Sequence, residues 1–145
     1  MRVFAHSTED LSRVRAALDF FLRNAIGISD DDVTDGLIEV TDIEGHYGNP
    51  SVMLSSQISR KSDSVRLARF IRERMSSDDV QNLRDEMPER LDDEQLFHMR
   101  FDKQAAFQGR IVLSSSSDAI TVKVKIATYP KNRLQAGLIV EELFG

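Results

Sequence analysis

Apolar and polar positions alternate most cleanly over residues 119–127. Ile120, Val122, Val124 and Ile126 point one way, and Thr121, Lys123 and Lys125 the other. A period of two describes a strand with one buried face and one left to solvent. Residues 95–102 repeat it, with Phe97, Met99 and Phe101 opposite His98 and Arg100. Residues 2–6, 37–43, 51–58 and 110–114 also read as strands. Elsewhere the period lengthens to that of a helix. Leu11, Val14, Leu18, Phe21 and Leu22 form one stripe of a helix reaching about Asn24, while Arg15, Asp19 and Arg23 recur every four residues on its other face. Ser7 is placed to cap this helix, with Asp10 at its third position. Leu67, Ala68, Ile71 and Met75 mark a second helix, opened by Ser62 or Asp63. The run Ser76-Ser77-Asp78-Asp79 signals a third, shorter one through about Asp85, and Pro88 closes the region. Residues 103–108 make a turn or a single helical turn, and residues 132–144 a final amphipathic helix. Residues 25–36, polar and acidic, are a connector.

The order is therefore β-α-β-β-α-α-β-β-β-α. Neighbouring strands with short connections imply a mainly antiparallel sheet, and one apolar face per strand implies helices packed on one face. The expected fold class is α+β, a two-layer sandwich, over one domain spanning residues 1–145.

Composition narrows the chemistry. The chain has no cysteine, so disulfides, thiolate nucleophiles and cysteine-ligated zinc are excluded. No stretch approaches the roughly 20 apolar residues of a membrane span, and no signal peptide is visible. A cytoplasmic protein without membrane association is expected. The net charge is −5, but it is unevenly spread. Residues 1–50 carry four Arg against ten Asp or Glu, whereas residues 101–140 carry six Lys or Arg against two Asp. Local field decides binding more than the total does. Arg outnumbers Lys fourteen to five. That balance is compatible with high cytosolic salt, in which phosphate contacts weaken and base stacking carries more of an RNA affinity.

The polar strand faces collect His98, Arg100, Lys123 and Lys125, with Ser55 and Gln57. Such a face suits a phosphate backbone; it also suits plain solvent. Between residues 37–43 and 51–58 lies Gly45-His46-Tyr47-Gly48-Asn49-Pro50, longer than a two-residue hairpin turn. Tyr47 can stack on an unpaired base, and His46 can bond a phosphate or base edge, with Asn49 beside them. The segment is no phosphate loop, because it lacks the Gly-Lys-Ser/Thr ending and no helix follows. Arg60 and Lys61 add charge after the second hairpin strand. In Arg100-Phe101-Asp102-Lys103-Gln104, Phe101 reads as core, Arg100 and Lys103 reach toward phosphate, Asp102 caps the next turn or pairs with a neighbouring cation, and Gln104 reads a base edge or bonds the backbone. The three histidines, His6, His46 and His98, have no metal-ligand spacing. No metal, cofactor or catalytic residue is assigned. A His46–His98 acid–base pair with Lys125 would make a weak ribonuclease, the least favoured reading.

Three segments together, Phe4 to Asp10, Gly45 to Pro50 and Arg100 to Gln104, resemble an archaeal family of predicted exosome-associated RNA-binding proteins. The resemblance covers nearly all of the chain. It implies a fold similar to the ribosomal protein that grips 5S rRNA, a two-layer α+β sandwich. It also implies a non-catalytic accessory role with RNA as partner, beside the exosome or other ribonucleoprotein subunits. The alternative is a protein–protein adaptor for such an assembly. The oligomeric state is not legible.

Overall fold

The computed structural model describes residues 1–6, 9–27, 37–44, 50–128, 130 and 132–144. In order, the elements are β1 (Arg2–His6), α1 (Leu11–Ile26), β2 (Glu39–Glu44), β3 (Pro50–Ser55), α2 (Lys61–Arg74), α3 (Ser77–Asp85), α4 (Met87–Arg90), β4 (Leu96–Phe101), α5 (Lys103–Phe107), β5 (Ile120–Lys125) and α6 (Arg133–Phe144). The strands form one sheet in the order β2-β3-β1-β5-β4, antiparallel throughout. The helices pack against it, as the α+β reading expects.

The buried face follows the alternation in the sequence. Val3, Leu54, Phe97, Met99, Phe101, Ile120 and Val122 are all essentially buried. Phe21 of α1 meets Phe101 of β4 with ring centroids 5.4 Å apart, and Phe144 of α6 meets Phe97 at 5.6 Å. Phe20 joins α1 to Phe70 of α2, edge to face at 5.3 Å. The first and last helices thus both grip β4, and burying such rings dominates the energetics of the layer.

Helix boundaries obey capping chemistry, with some departures from expectation. The cap of α1 is Asp10 rather than Ser7: its carboxylate accepts from the Ser12 backbone N–H at 3.0 Å and the Ser12 hydroxyl at 2.6 Å. Ser7 lies outside the described residues. The helix ends at Gly27 with φ +72°, a left-handed conformation that glycine adopts without strain. Ser76 caps α3 as expected, and Asp102 caps α5 by accepting from the Ala105 N–H at 2.8 Å. Pro88 does not terminate anything; it sits in the first turn of α4, where its missing N–H has no helical partner to lose.

The strand expected at 110–114 does not form. Only Leu113 bridges to Phe101, with the Asp102 N–H bonding Val112 O at 2.9 Å and the Ser114 N–H bonding Arg100 O at 2.9 Å. This short contact instead covers one end of the outer edge of β4. At the other end the Asp92 N–H bonds Leu96 O at 3.0 Å, and the Asp92 carboxylate accepts from the Leu96 N–H at 2.9 Å. Between them the Arg90 guanidinium donates to His98 O at 3.2 Å. The turn into β4 carries Gln95, buried and at φ +62°. Its amide donates to Ile126 O at 2.7 Å and to the Thr128 hydroxyl at 2.9 Å, which fastens β4 to the end of β5.

Candidate nucleic-acid interface

On β1, β4 and β5 the residues between the buried ones face away from the helices, and the registers carry that face onto β3 and β2. The registers align them in rows. One row runs Glu39–Ser55–Arg2–Thr121–Arg100 across all five strands. With neighbouring strands about 4.8 Å apart, the Cα atoms of Arg2 and Arg100 lie roughly 10 Å apart. One step along, Lys123 stands opposite His98, and a further step places Lys125 opposite Leu96. In the other direction Phe4 lies opposite Met53, which lies opposite Thr41, all three half-buried.

The cations on this face differ in how free they are. Arg2, Arg100 and Lys123 are exposed, and none has an ion-pair partner among the described residues. Lys125 is exposed but donates to Glu94 O at 2.6 Å. The imidazole of His98 lies 2.7 Å from the Asp92 carboxylate. That hydrogen bond, followed by those from the Leu96 and Glu94 N–H groups, holds the Asp92 carboxyl down at about 2. The Met1 ammonium registers the local field. Burial lowers its pKa first, and the charges of Arg2 and Lys123 lower it further.

Lys103 corrects the sequence reading. Its side chain is only 12% exposed, and its Nζ donates to both Glu9 carboxylate oxygens at 2.9 Å and to Phe4 O at 3.0 Å, with Asp118 Oδ1 at 2.8 Å. An ammonium so occupied is not offered to phosphate. His6 completes the cluster, 3.2 Å from Asp118. Burial raises the Asp118 carboxyl, but the hydrogen bond and charge of Lys103, with help from His6, outweigh it and leave the group below its ordinary value. Ligand atoms of His6, Glu9 and Asp118 lie within 4.8 Å of one another. The Lys103 ammonium already binds both carboxylates there, so the cluster is an ion-pair hub. Two of the three segments singled out in the sequence meet in it.

The remaining sequence candidates divide. Arg60 caps α2 through its backbone and Lys61 begins that helix, both exposed and both outside the strands. Gln104 is exposed on α5. His46, Tyr47 and Asn49 lie outside the described residues. Missed from the sequence were Arg2 and Phe4, on the central strand. The signal was present in the alternation of Arg2, Phe4 and His6 with buried Val3 and Ala5.

A five-stranded antiparallel sheet backed by helices defines an α+β protein, and the exposed Arg2, Arg100 and Lys123 on its outer face are of a kind that suits a phosphate backbone. Residues 1–126 match the family model described as RNA binding, and the chain belongs to that family. It is 29% identical over 133 residues to the RNA-binding protein PAB1135 of Pyrococcus abyssi, spanning 92% of this chain and 83% of that one. Among solved structures, protein AF2318 from Archaeglobus fulgidus superposes with a TM-score of 0.80 at 27% identity, over 98% of this chain and 94% of the other. Mth689 from Methanothermobacter thermautotrophicus follows at 0.75 and 26%, over 99% and 94%. No helix among the described residues is long and apolar enough to cross a membrane.

Proposed function

We propose that the protein is a non-catalytic RNA-binding accessory factor of the cytoplasm, acting beside an RNA-processing or ribonucleoprotein assembly such as the exosome. The observation that carries this reading is the row linking Arg2 and Arg100 across the open sheet face, with Lys123 one step away. Three exposed cations are held on rigid strands, opposite the helical layer. Phosphate contacts there fix the RNA, and Lys125 and His98 extend the surface. Base contacts from His46, Tyr47 and Asn49 are part of the proposal, as are the charges of Arg60 and Lys61 and the neutral amide of Gln104.

Fluorescence anisotropy with a short single-stranded RNA across a salt titration tests it. Replacing both Arg100 and Lys123 by alanine is expected to weaken binding and to reduce the log–log salt slope by about 1.4, two single-strand phosphate contacts' worth. An unchanged slope removes the face from consideration.

One observation favours an adaptor instead. Leu134 and Leu138 of α6 are 78% and 59% exposed. With Met87, Pro88 and Leu91 they line an apolar groove of about 320 Å³. A protein partner on that groove would be indifferent to the Arg100 and Lys123 substitutions.

A further inference from the structure

The open face of the sheet carries an aromatic ring at its middle. Phe4 lies on β1, the central strand of five, on the side facing away from the helices. Its ring is half-buried, and it adjoins Met53 in the same row. The Arg2 guanidinium sits over the ring, 5.7 Å from its centroid, within the range of a cation–π contact. A phenylalanine kept partly open at the centre of a polar face is a different object from a core residue on the opposite side of the same strand. Val3 and Ala5, its neighbours in sequence, are buried completely or nearly so.

Its backbone is also unusually well held. The ion-pair hub ends on this residue: Lys103 Nζ donates to Phe4 O while both Glu9 oxygens and Asp118 hold the ammonium in place. The hub therefore holds the Phe4 backbone from the segment before α1, from α5 and from the segment before β5 at once. Fixed geometry reduces the ordering that binding demands. Arg2 adjoins the ring, and Arg100 and Lys123 lie roughly 12 and 14 Å from Phe4, in the Arg2 row and beyond it, so an anionic chain running diagonally from Phe4 past Arg2 toward β5 and β4 would bring its phosphates to those cations.

We infer that Phe4 is a stacking platform for an unpaired RNA base, which takes the place of the Arg2 guanidinium over the ring and leaves that cation to a phosphate, while Lys103 holds the Phe4 backbone. The inference rests on the RNA-binding reading above and sharpens its ligand to single-stranded RNA. A duplex keeps its bases stacked on each other and has no free base face to offer. Stacking on an aromatic side chain is tolerant of sequence, since every base has a π-face. It is also less sensitive to salt than a phosphate contact.

The experiment uses the full chain and two probes: a short single-stranded RNA with one central 2-aminopurine, and a blunt RNA duplex of the same length. The wild-type protein is expected to bind the single strand saturably and to change the 2-aminopurine emission, with weaker binding to the duplex. Phe4→Leu is expected to weaken single-strand binding about 5- to 100-fold, to abolish the emission change and to leave the salt slope unaltered. Phe4→Tyr, which keeps the ring, is expected to stay within about twofold of wild type. If Phe4→Leu binds as tightly as wild type while Arg100→Ala with Lys123→Ala does not, the platform is wrong and the RNA-binding face stands. If the wild type binds neither probe at low salt, the RNA reading itself fails and the face passes to a protein partner. Should Phe4→Leu not fold, saturable wild-type binding without any 2-aminopurine change overturns the inference by itself.

Discussion

At the scale of single residues, Lys103 shows why a charge on paper is not a charge on offer. In the sequence it stands among Arg100, Asp102 and Gln104 and reads as one more phosphate ligand. Its real partners, Glu9, Asp118 and the Phe4 carbonyl, are distant in sequence, so no local pattern points to them. Replacing it by methionine leaves the Glu9 and Asp118 carboxylates with only the His6 imidazole, beside Asp118, to offset them. Because the lysine is largely buried and the acids are partly exposed, the expected loss of stability is about 2 kcal/mol, between the values for surface and buried pairs. Urea denaturation measures it, and a midpoint unchanged from wild type would show the hub to be ornamental. Phe4 was half legible: its strand could be read, and its face too, but only the sheet order makes it central. Of the two roles open to Asp102 in the sequence, a cap or a cation's partner, the cap is the one that forms, and it is local chemistry written within three residues.

At the scale of elements, those with strong periodicity were legible: β4, β5 and the first three helices lie within a few residues of where alternation puts them. The one expected strand that does not form fails for a tertiary reason. Residues 110–114 alternate like a strand, but β4 is already paired with β5 on one side and has its other edge contested by residues 91–92 and Arg90. Only one bridge at Leu113 remains. The turn from Asp92 to Leu96 holds that edge, and its chemistry is pH-dependent. The Asp92 carboxyl titrates at about 2 in the folded chain against an ordinary 3.8. The unfolded chain therefore takes up this proton first, and the stabilisation is complete above the ordinary value and disappears as pH falls through the folded one. Asp92→Asn keeps an oxygen for the two backbone N–H groups but loses the charge. The stability gap between wild type and this variant is expected to close as pH falls from about 5 to about 2. Denaturant midpoints at a series of pH values test this, and a gap that does not change with pH rejects it.

At the scale of the molecule, one sheet separates two environments: an aromatic-rich layer against the helices and a cationic surface opposite. Phe21 shows how much depends on the first. It is fully buried and touches both Phe20 and Phe101. Phe21→Ala is expected to cost about 3–5 kcal/mol, much of the stability of a domain this size. The guanidinium midpoint should fall with the slope unchanged, and a shift equivalent to less than about 1 kcal/mol would contradict the packing described. The two-layer class was legible because each strand has only one apolar face. The strand order was not, since β1 takes its place between β3 and β5 through pairings of long sequence separation. The closed outer edge of β4 has a consequence of its own. Its outward carbonyls at Leu96, His98 and Arg100 already have donors from Asp92, Arg90 and Ser114. A strand arriving from another molecule finds no vacant acceptors at these three positions, so this side of the sheet is poorly suited to templating fibrils or recruiting peptides by extension. A partner meeting this half of the molecule would therefore have to approach out of the sheet plane and lie flat across the strands.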